Sequence, residues 1–101
     1  LSKVCVSNIT IMTDALRGLS WFNTDISKWD VSNVTDMSNM FWKARIFTQD
    51  IGNWDVSKVK RMNRMFKIAR DFNQNIGSWD VSNVERFQEM FRNADAFNKQ
   101  S

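Results

Sequence analysis

The sequence predicts an α/β fold: a solenoid of stacked strand-helix units with a parallel sheet on one face and a row of helices on the other. Three observations carry that expectation. The stretch "FNTDISKWDVSNVTDMSNMF" (Phe22 to Phe41) recurs 25 residues later as "FTQDIGNWDVSKVKRMNRMF" (Phe47 to Phe66), without insertion. Within each copy the apolar spacing switches from two residues to a helical stripe. A serine stands at the switch. Fixed periods of 20 to 50 residues mark supersecondary units that bury their apolar faces only by stacking. The chain therefore divides as one repeat domain over 1–101, with a partial unit at 1–21, complete units at 22–46, 47–71 and 72–96, and the start of another at 97–101.

The strand comes first. Trp29 and Val31, Trp54 and Val56, Trp79 and Val81 lie two apart, as a short strand with one buried face requires. Val34, Met37, Phe41 and Ala44, with Met40 beside them, then fall at i, i+3, i+7 and i+10, a helical stripe. Ser7, Ser32, Ser57 and Ser82 occupy the junction, where a serine is a good helix N-cap, and "SNVE" (Ser82 to Glu85) completes a capping box. Asp30, Asp55 and Asp80, just before, suit a strand end or the positive end of a helix. Ladders of Trp29, Trp54 and Trp79 and of Phe22, Phe47, Phe72 and Phe97 should form the spine.

Composition is that of a globular chain of 101 residues, and no apolar run approaches the length that crosses a bilayer. The N-terminus lacks signal-peptide zones. Both ends fall in mid-pattern, so the expectation is a segment of a longer array, with any export signal or membrane anchor outside it. One cysteine, Cys5, allows no internal disulfide and leaves the redox compartment open. The net charge of +3 is uneven: residues 47–71 hold six Lys/Arg against three Asp, and residues 72–96 hold two against four Asp/Glu.

Catalytic equipment is absent from this alphabet. There is no His and no Tyr, Cys5 has no imidazole partner, and three glycines (Gly18, Gly52, Gly77) make no phosphate loop, so no enzyme and no cofactor is expected. Stacked at sheet spacing, about 4.8 Å apart, Asp30, Asp55 and Asp80 would raise one another's pKa or hold a cation; as turn and cap acceptors they would do neither. The loops "FNTDIS", "FTQDIG" and "FNQNIG" are rich in oxygen but match no calcium-loop pattern, so no metal is assigned. Lys58, Lys60, Arg61, Arg64 and Lys67 form a basic patch beside the Val59, Met62, Met65, Phe66 stripe. Glu85 and Glu89 cut it short in the next unit, which favours a solvated, ion-paired face over a nucleic-acid site. Trp42 fills a slot held elsewhere by Arg17, Lys67 and Arg92: it is either an interface anchor or an aromatic platform for Lys67. Cys5, in the aspartate slot, is either an accessible thiol or an inert one.

The phrase "FNxxIxxWDVSxVxxMxxMFxxAxxF" resembles the bacterial surface protein repeat of about 25 residues found in mycoplasma-type lipoproteins and BspA-like leucine-rich-repeat surface proteins. "WDVS" and "MF" recur in register three times, although the first unit reads "VCVS" and "AL". The resemblance implies a leucine-rich-repeat-like strand-helix solenoid, displayed on a cell surface or secreted, that works in adhesion or partner binding. The expected function is a non-catalytic binding module presenting a sheet face to a protein or glycan, with an intracellular interaction scaffold as the alternative. The expected binding surface is Lys28, Asp30, Asn53, Asp55, Ser78 and Asp80, with Trp42 in addition. No polar cap closes either end, so self-association through open ends is also expected.

Overall fold

The computed structural model describes residues 8–98. It overturns the strand-helix unit while keeping the 25-residue step. Among the described residues the one helix is α1, Asp95–Asn98, a single turn beyond the last predicted helical stripe. Pairing of strand type among the described residues is limited to isolated parallel bridges that link Ile11 to Asp36, Asp36 to Arg61 and Arg61 to Arg86. Among the described residues there is no parallel sheet and no row of helices; instead, each 25-residue unit is a rung of consecutive turns laid on the next.

Backbone hydrogen bonding explains how rungs without regular elements hold together. Over residues 36–43, every second peptide group points along the stack. The N–H groups of Met37, Asn39, Phe41 and Lys43 donate to the carbonyls of Arg61, Asn63, Met65 and Lys67 at 2.8 to 3.0 Å. On the other side, Met12, Asp14, Leu16 and Gly18 donate to the carbonyls of Asp36, Ser38, Met40 and Trp42. The intervening peptides close turns within the rung, Met40 N–H to Met37 C=O at 3.2 Å and Ala44 N–H to Phe41 C=O at 3.0 Å. Buried polar backbone is thus satisfied half between rungs and half within them.

Closing a turn every four residues requires a left-handed residue at its third position, as in type II turns. Asp14, Asn39, Arg64 and Glu89 hold one such slot with φ of 57 to 62°, and Gly18, Lys43, Ile68 and Asn93 hold the other with φ of 60 to 75°. One turn per four residues returns Met37 and Phe41 to the same side of the chain, just as a helix would. This is why the helical spacing is present without the helix.

The core runs down the stack. Phe22, Ile26, Val34, Met37, Met40, Phe41 and Ala44 are fully buried, as are Phe47, Ile51, Val59, Met62, Met65, Phe66 and Ala69 one rung on. Phe22, Phe47, Phe72 and Phe97 stack at 6.0 to 6.1 Å between ring centres, and Phe41, Phe66 and Phe91 form a second column at 5.3 and 5.6 Å. The columns interlock through Phe41–Phe47, Phe66–Phe72 and Phe91–Phe97 at 4.3 to 4.5 Å. Such offset pairs contribute about 0.5–1.5 kcal/mol each beyond their buried area. The tryptophan ladder adds polar stitching: the indole N–H of Trp54 donates to Ile26 C=O at 3.2 Å, and that of Trp79 to Ile51 C=O at 3.0 Å. Gly52 marks the tightest approach, where an added Cβ would sit 2.6 Å from the carbonyl oxygen of Asn75.

The serines change role with the fold. Ser32 and Ser57 cap no helix; their N–H and hydroxyl groups donate to Oδ1 of Asp30 and Asp55 at 2.6 to 3.0 Å, making short aspartate-anchored turns. The Ser82 N–H does the same for Asp80 at 3.0 Å, and Glu85 N–H bonds Lys60 C=O rather than closing a capping box. Ser7 and Cys5 lie outside the described residues.

Candidate functional site

Two slots sit between the buried Val34 and Met37 and again between Val59 and Met62, and they line up with their counterparts because the bridges fix the register at Ile11, Asp36, Arg61 and Arg86. Their side chains border a recess of about 300 Å³ walled by Ile11, Thr35, Asp36, Lys60, Arg61 and Glu85. Asp36 and Arg61 also border a second recess of about 370 Å³, which adds Thr13, Ser38, Asn63 and Arg86. The result is one polar groove running across the rungs.

Asp36 anchors its floor. Its Oδ1 accepts the Ser38 N–H at 2.9 Å and lies 2.5 Å from the Ser38 hydroxyl, which is also 3.1 Å from Asn63 Oδ1 on the next rung. Its other oxygen is 3.9 Å from an Arg61 guanidinium nitrogen, a loose pair in which Arg61 keeps 56% of its side chain exposed. Lys60 and Arg86 are exposed and form no ion pair among the described residues. The groove thus offers hydroxyls, an amide and three cations against two carboxylates. That set can hold a hydroxyl-rich or anionic chain by hydrogen bonds and charge. It contains no imidazole or thiol to activate a nucleophile.

The face expected from the sequence lies elsewhere, and it is not a sheet. Lys28, Asp30, Asn53, Asp55, Ser78 and Asp80 are all exposed, with Lys28, Asn53 and Ser78 in turns and each aspartate just ahead of one. Asp30, Asp55 and Asp80 do not raise one another's pKa on balance. Hydrogen bonds from Ser32, Ser57 and Ser82 hold each carboxyl below the ordinary aspartate value, and the repulsion that Asp55 exerts on Asp30 and Asp80 is the smaller effect. Ser78 is tied to the preceding rung through its hydroxyl, which donates to Gly52 C=O at 3.0 Å. The oxygen-rich loops turn inward on themselves, with Oδ1 of Asp25, Asp50 and Asn75 accepting the N–H of Ser27, Gly52 and Gly77 at 2.8 to 2.9 Å. Among the described residues no three carboxylates or thiols converge as metal ligands would.

Trp42 packs against cations. Its ring lies between the rungs that carry Arg17 and Lys67, with the Arg17 guanidinium 4.0 Å and the Lys67 ammonium 5.1 Å from its centre. Its buried indole N–H and the buried Asn39 Oδ1 in the same turn find no hydrogen-bond partner among the described residues. The basic patch is divided. Lys58 reaches Asn33 Oδ1 at 3.2 Å, while Lys60 and Arg61 face the groove. Arg64 and Lys67 converge on Glu89 at 3.2 and 2.9 Å, where Arg92 joins them at 2.9 Å. These bonds, that from Lys67 largest, lower the Glu89 pKa to about 2.

Of the groove's residues, sequence reasoning singles out only Lys60 and Arg61 as binding candidates. A signal for the rest exists in the repeat itself: slots 10/35/60/85 read Thr, Thr, Lys, Glu and slots 11/36/61/86 read Ile, Asp, Arg, Arg, between neighbours that hardly change. Variable positions within a constant frame are where a stack of identical rungs can carry information.

Stacked 25-residue rungs with a polar groove define a repeat protein whose distinguishing chemistry lies on its surface. Residues 1–101 match the family described as a Mycoplasma protein of unknown function, DUF285, and the chain belongs to that family. No curated protein and no solved structure matches the chain. No helix among the described residues is long and apolar enough to cross a membrane.

Proposed function

We propose that this chain is a non-catalytic binding module of a cell-surface repeat protein, holding a protein or glycan partner along the groove that crosses Asp36, Arg61 and Arg86. The observation that carries the reading is the groove's construction: its walls are slots that differ from rung to rung, set in the two middle rungs between the buried pairs Val34 and Met37, Val59 and Met62, which do not. A frame that repeats serves packing, and the departures from it serve recognition. Membership of a Mycoplasma family supports a surface location.

The test has two arms. Protease treatment of intact source cells should release peptides such as "DFNQNIGSWDVSNVER"; their recovery only after lysis would overturn the surface reading in favour of an intracellular scaffold. The folded chain should bind an array of purified glycans or host surface proteins, and Arg61→Ala together with Arg86→Ala should weaken that binding about tenfold or more without lowering the melting temperature. Binding unchanged by the pair would place the site off the groove. Binding only to heparin or DNA, lost as salt rises, would replace the reading with a polyanion site.

A further inference from the structure

The backbone turns sharply at one corner of each of three successive rungs. The N–H groups of Phe22, Phe47 and Phe72 donate to the carbonyls of Leu19, Ala44 and Ala69, three residues back, at 3.0 to 3.3 Å. Each bond closes a four-residue turn whose two middle residues form the tip. The tips are Ser20 and Trp21, Arg45 and Ile46, and Arg70 and Asp71, all six exposed between buried or half-buried flanks. They line up along the stack. The phenylalanines that follow them stack at 6.0 and 6.1 Å between ring centres, and the Asp71 N–H donates to the Arg45 carbonyl of the preceding rung at 3.0 Å.

This ridge joins two kinds of side chain that solvated turns rarely combine. Trp21 is 67% exposed and Ile46 is 42% exposed. The exposure belongs to the slot and not to an end of the stack, because Ile46 and Asp71 are exposed with a rung on either side. Beside the apolar pair stand Arg45, Arg70 and, just ahead of the middle turn, Lys43. All three are exposed, and none forms an ion pair among the described residues. All 11 Asp and Glu of the sequence lie within residues 8–98, so no other carboxylate side chain is left to pair with them. Glu89 meanwhile takes Arg64, Lys67 and Arg92, Asp14 takes Arg17, and Asp36 takes Arg61. Asp71 is the one carboxylate on the three tips, set against three cations.

We propose that this ridge is a docking surface for an anionic lipid bilayer, on which the three turn tips rest. Tryptophan and isoleucine enter the boundary between headgroups and acyl chains, while cations beside them meet anionic headgroups. A soluble polyanion would engage Lys43, Arg45 and Arg70 and leave Trp21 and Ile46 in water; a lipid surface engages all five. The tips suit a flat partner because they are aligned, protrude from a packed core and are each fixed by a hydrogen bond within the rung. The ridge shares no residue with the groove, so it stands whether or not the groove holds a partner.

The test is sedimentation of the 101-residue chain with vesicles of phosphatidylcholine alone and of phosphatidylcholine mixed equally with phosphatidylglycerol. The anionic vesicles should bind about tenfold or more tightly than the neutral ones, since each basic side chain near such a surface strengthens binding about fivefold. Arg45→Ser and Arg70→Ser should each weaken binding by about that factor, and Arg45→Lys should not. Indole emission should move to shorter wavelength on binding, and Trp21→Ser should remove that shift. Trp21→Ser with Ile46→Ser should weaken binding about tenfold. All these positions are exposed, so the variants should keep the wild-type circular dichroism and melting temperature. Failure of the anionic vesicles to bind would overturn the proposal. So would binding that survives loss of Trp21 and Ile46 and is fully competed by heparin, which would make the ridge a polyanion site. Vesicle binding abolished by Arg61→Ala with Arg86→Ala would also overturn it, by moving the contact to the groove.

Discussion

Rungs 22–46 and 47–71 differ little in sequence from rung 72–96, yet their burial differs sharply. Met37 and Met62 are sealed while Phe87 is half in solvent; Val31 and Val56 are sealed while Val81 is not. No residue of the last rung is at fault, for it carries the same apolar slots, the same aspartate-anchored turn and the same left-handed positions. Burial in a stack is conferred by the neighbour on each side, so a unit's contribution to stability depends on where it stands.

The largest expected effect sharpens this contrast. Phe66 touches Phe41, Phe72, Trp79 and Phe91 in the middle of the aromatic column and is fully sealed, so Phe66→Ala should cost about 3–5 kcal/mol in urea unfolding. Phe91, in the same slot at the end, is only partly buried and should cost about 1–2 kcal/mol when made Ala. Equal losses would mean that the rungs unfold without regard to position.

Next in size is a gain. Ile68 holds a left-handed slot at φ 60°, where a β-branched side chain is strained, while the last rung has Asn93 and the first has Gly18. Ile68→Asn should stabilise by about 1 kcal/mol, reduced by whatever apolar contact the half-buried isoleucine surrenders. A loss would show that packing outweighs backbone strain in the interior.

These slots also explain what can be read in the sequence and what cannot. The period, the burial of Phe22, Ile26, Val34, Met37 and Phe41, and the phenylalanine column are legible because burial follows spacing. The helix is a misreading because a turn every four residues and a helix of 3.6 both bring residues 37 and 41 to one side. Only the sign of φ separates them, and at four of its eight left-handed positions the chain carries Arg, Lys, Glu or Ile, which announce nothing. Arg64, Lys43, Glu89 and Ile68 give no hint, although Gly18 and Asn93 in one slot do. The aspartates are legible as turn acceptors but not as serine-bound carboxylates, since that depends on whether a helix follows. The groove escapes because sequence reasoning weighs recurring residues, whereas its walls are the positions that fail to recur.

Glu89 ties the exposed rung to its sealed neighbour, and its pH dependence follows from its sign. Its carboxyl is held near pKa about 2 in the folded chain and near the ordinary 4.5 in the unfolded one, so its contribution is present above about pH 4.5 and is lost as pH falls through about 2. The melting temperature should therefore decline over that window, and Glu89→Gln should flatten the decline. Because the cluster is exposed, added salt should shrink the difference between the two proteins. A Glu89→Gln variant with the wild-type profile would assign the acid sensitivity to other carboxylates.

The smallest effect concerns the aspartate turns, where interior and end should agree. The Ser57 hydroxyl and N–H both bond Asp55, and the hydroxyl bond is the chief reason the carboxyl lies below its ordinary value. Ser57→Ala removes that bond and spares the N–H, so the Asp55 carboxyl resonance should titrate at higher pH in carbon-detected NMR, still below the ordinary value, with the fold intact. Ser82→Ala should move Asp80 in the same direction at the exposed end. These turns are exposed in every rung and are made within it, so stacking should not alter them; if Asp55 shifts and Asp80 does not, then position in the stack governs even the contacts a rung makes with itself.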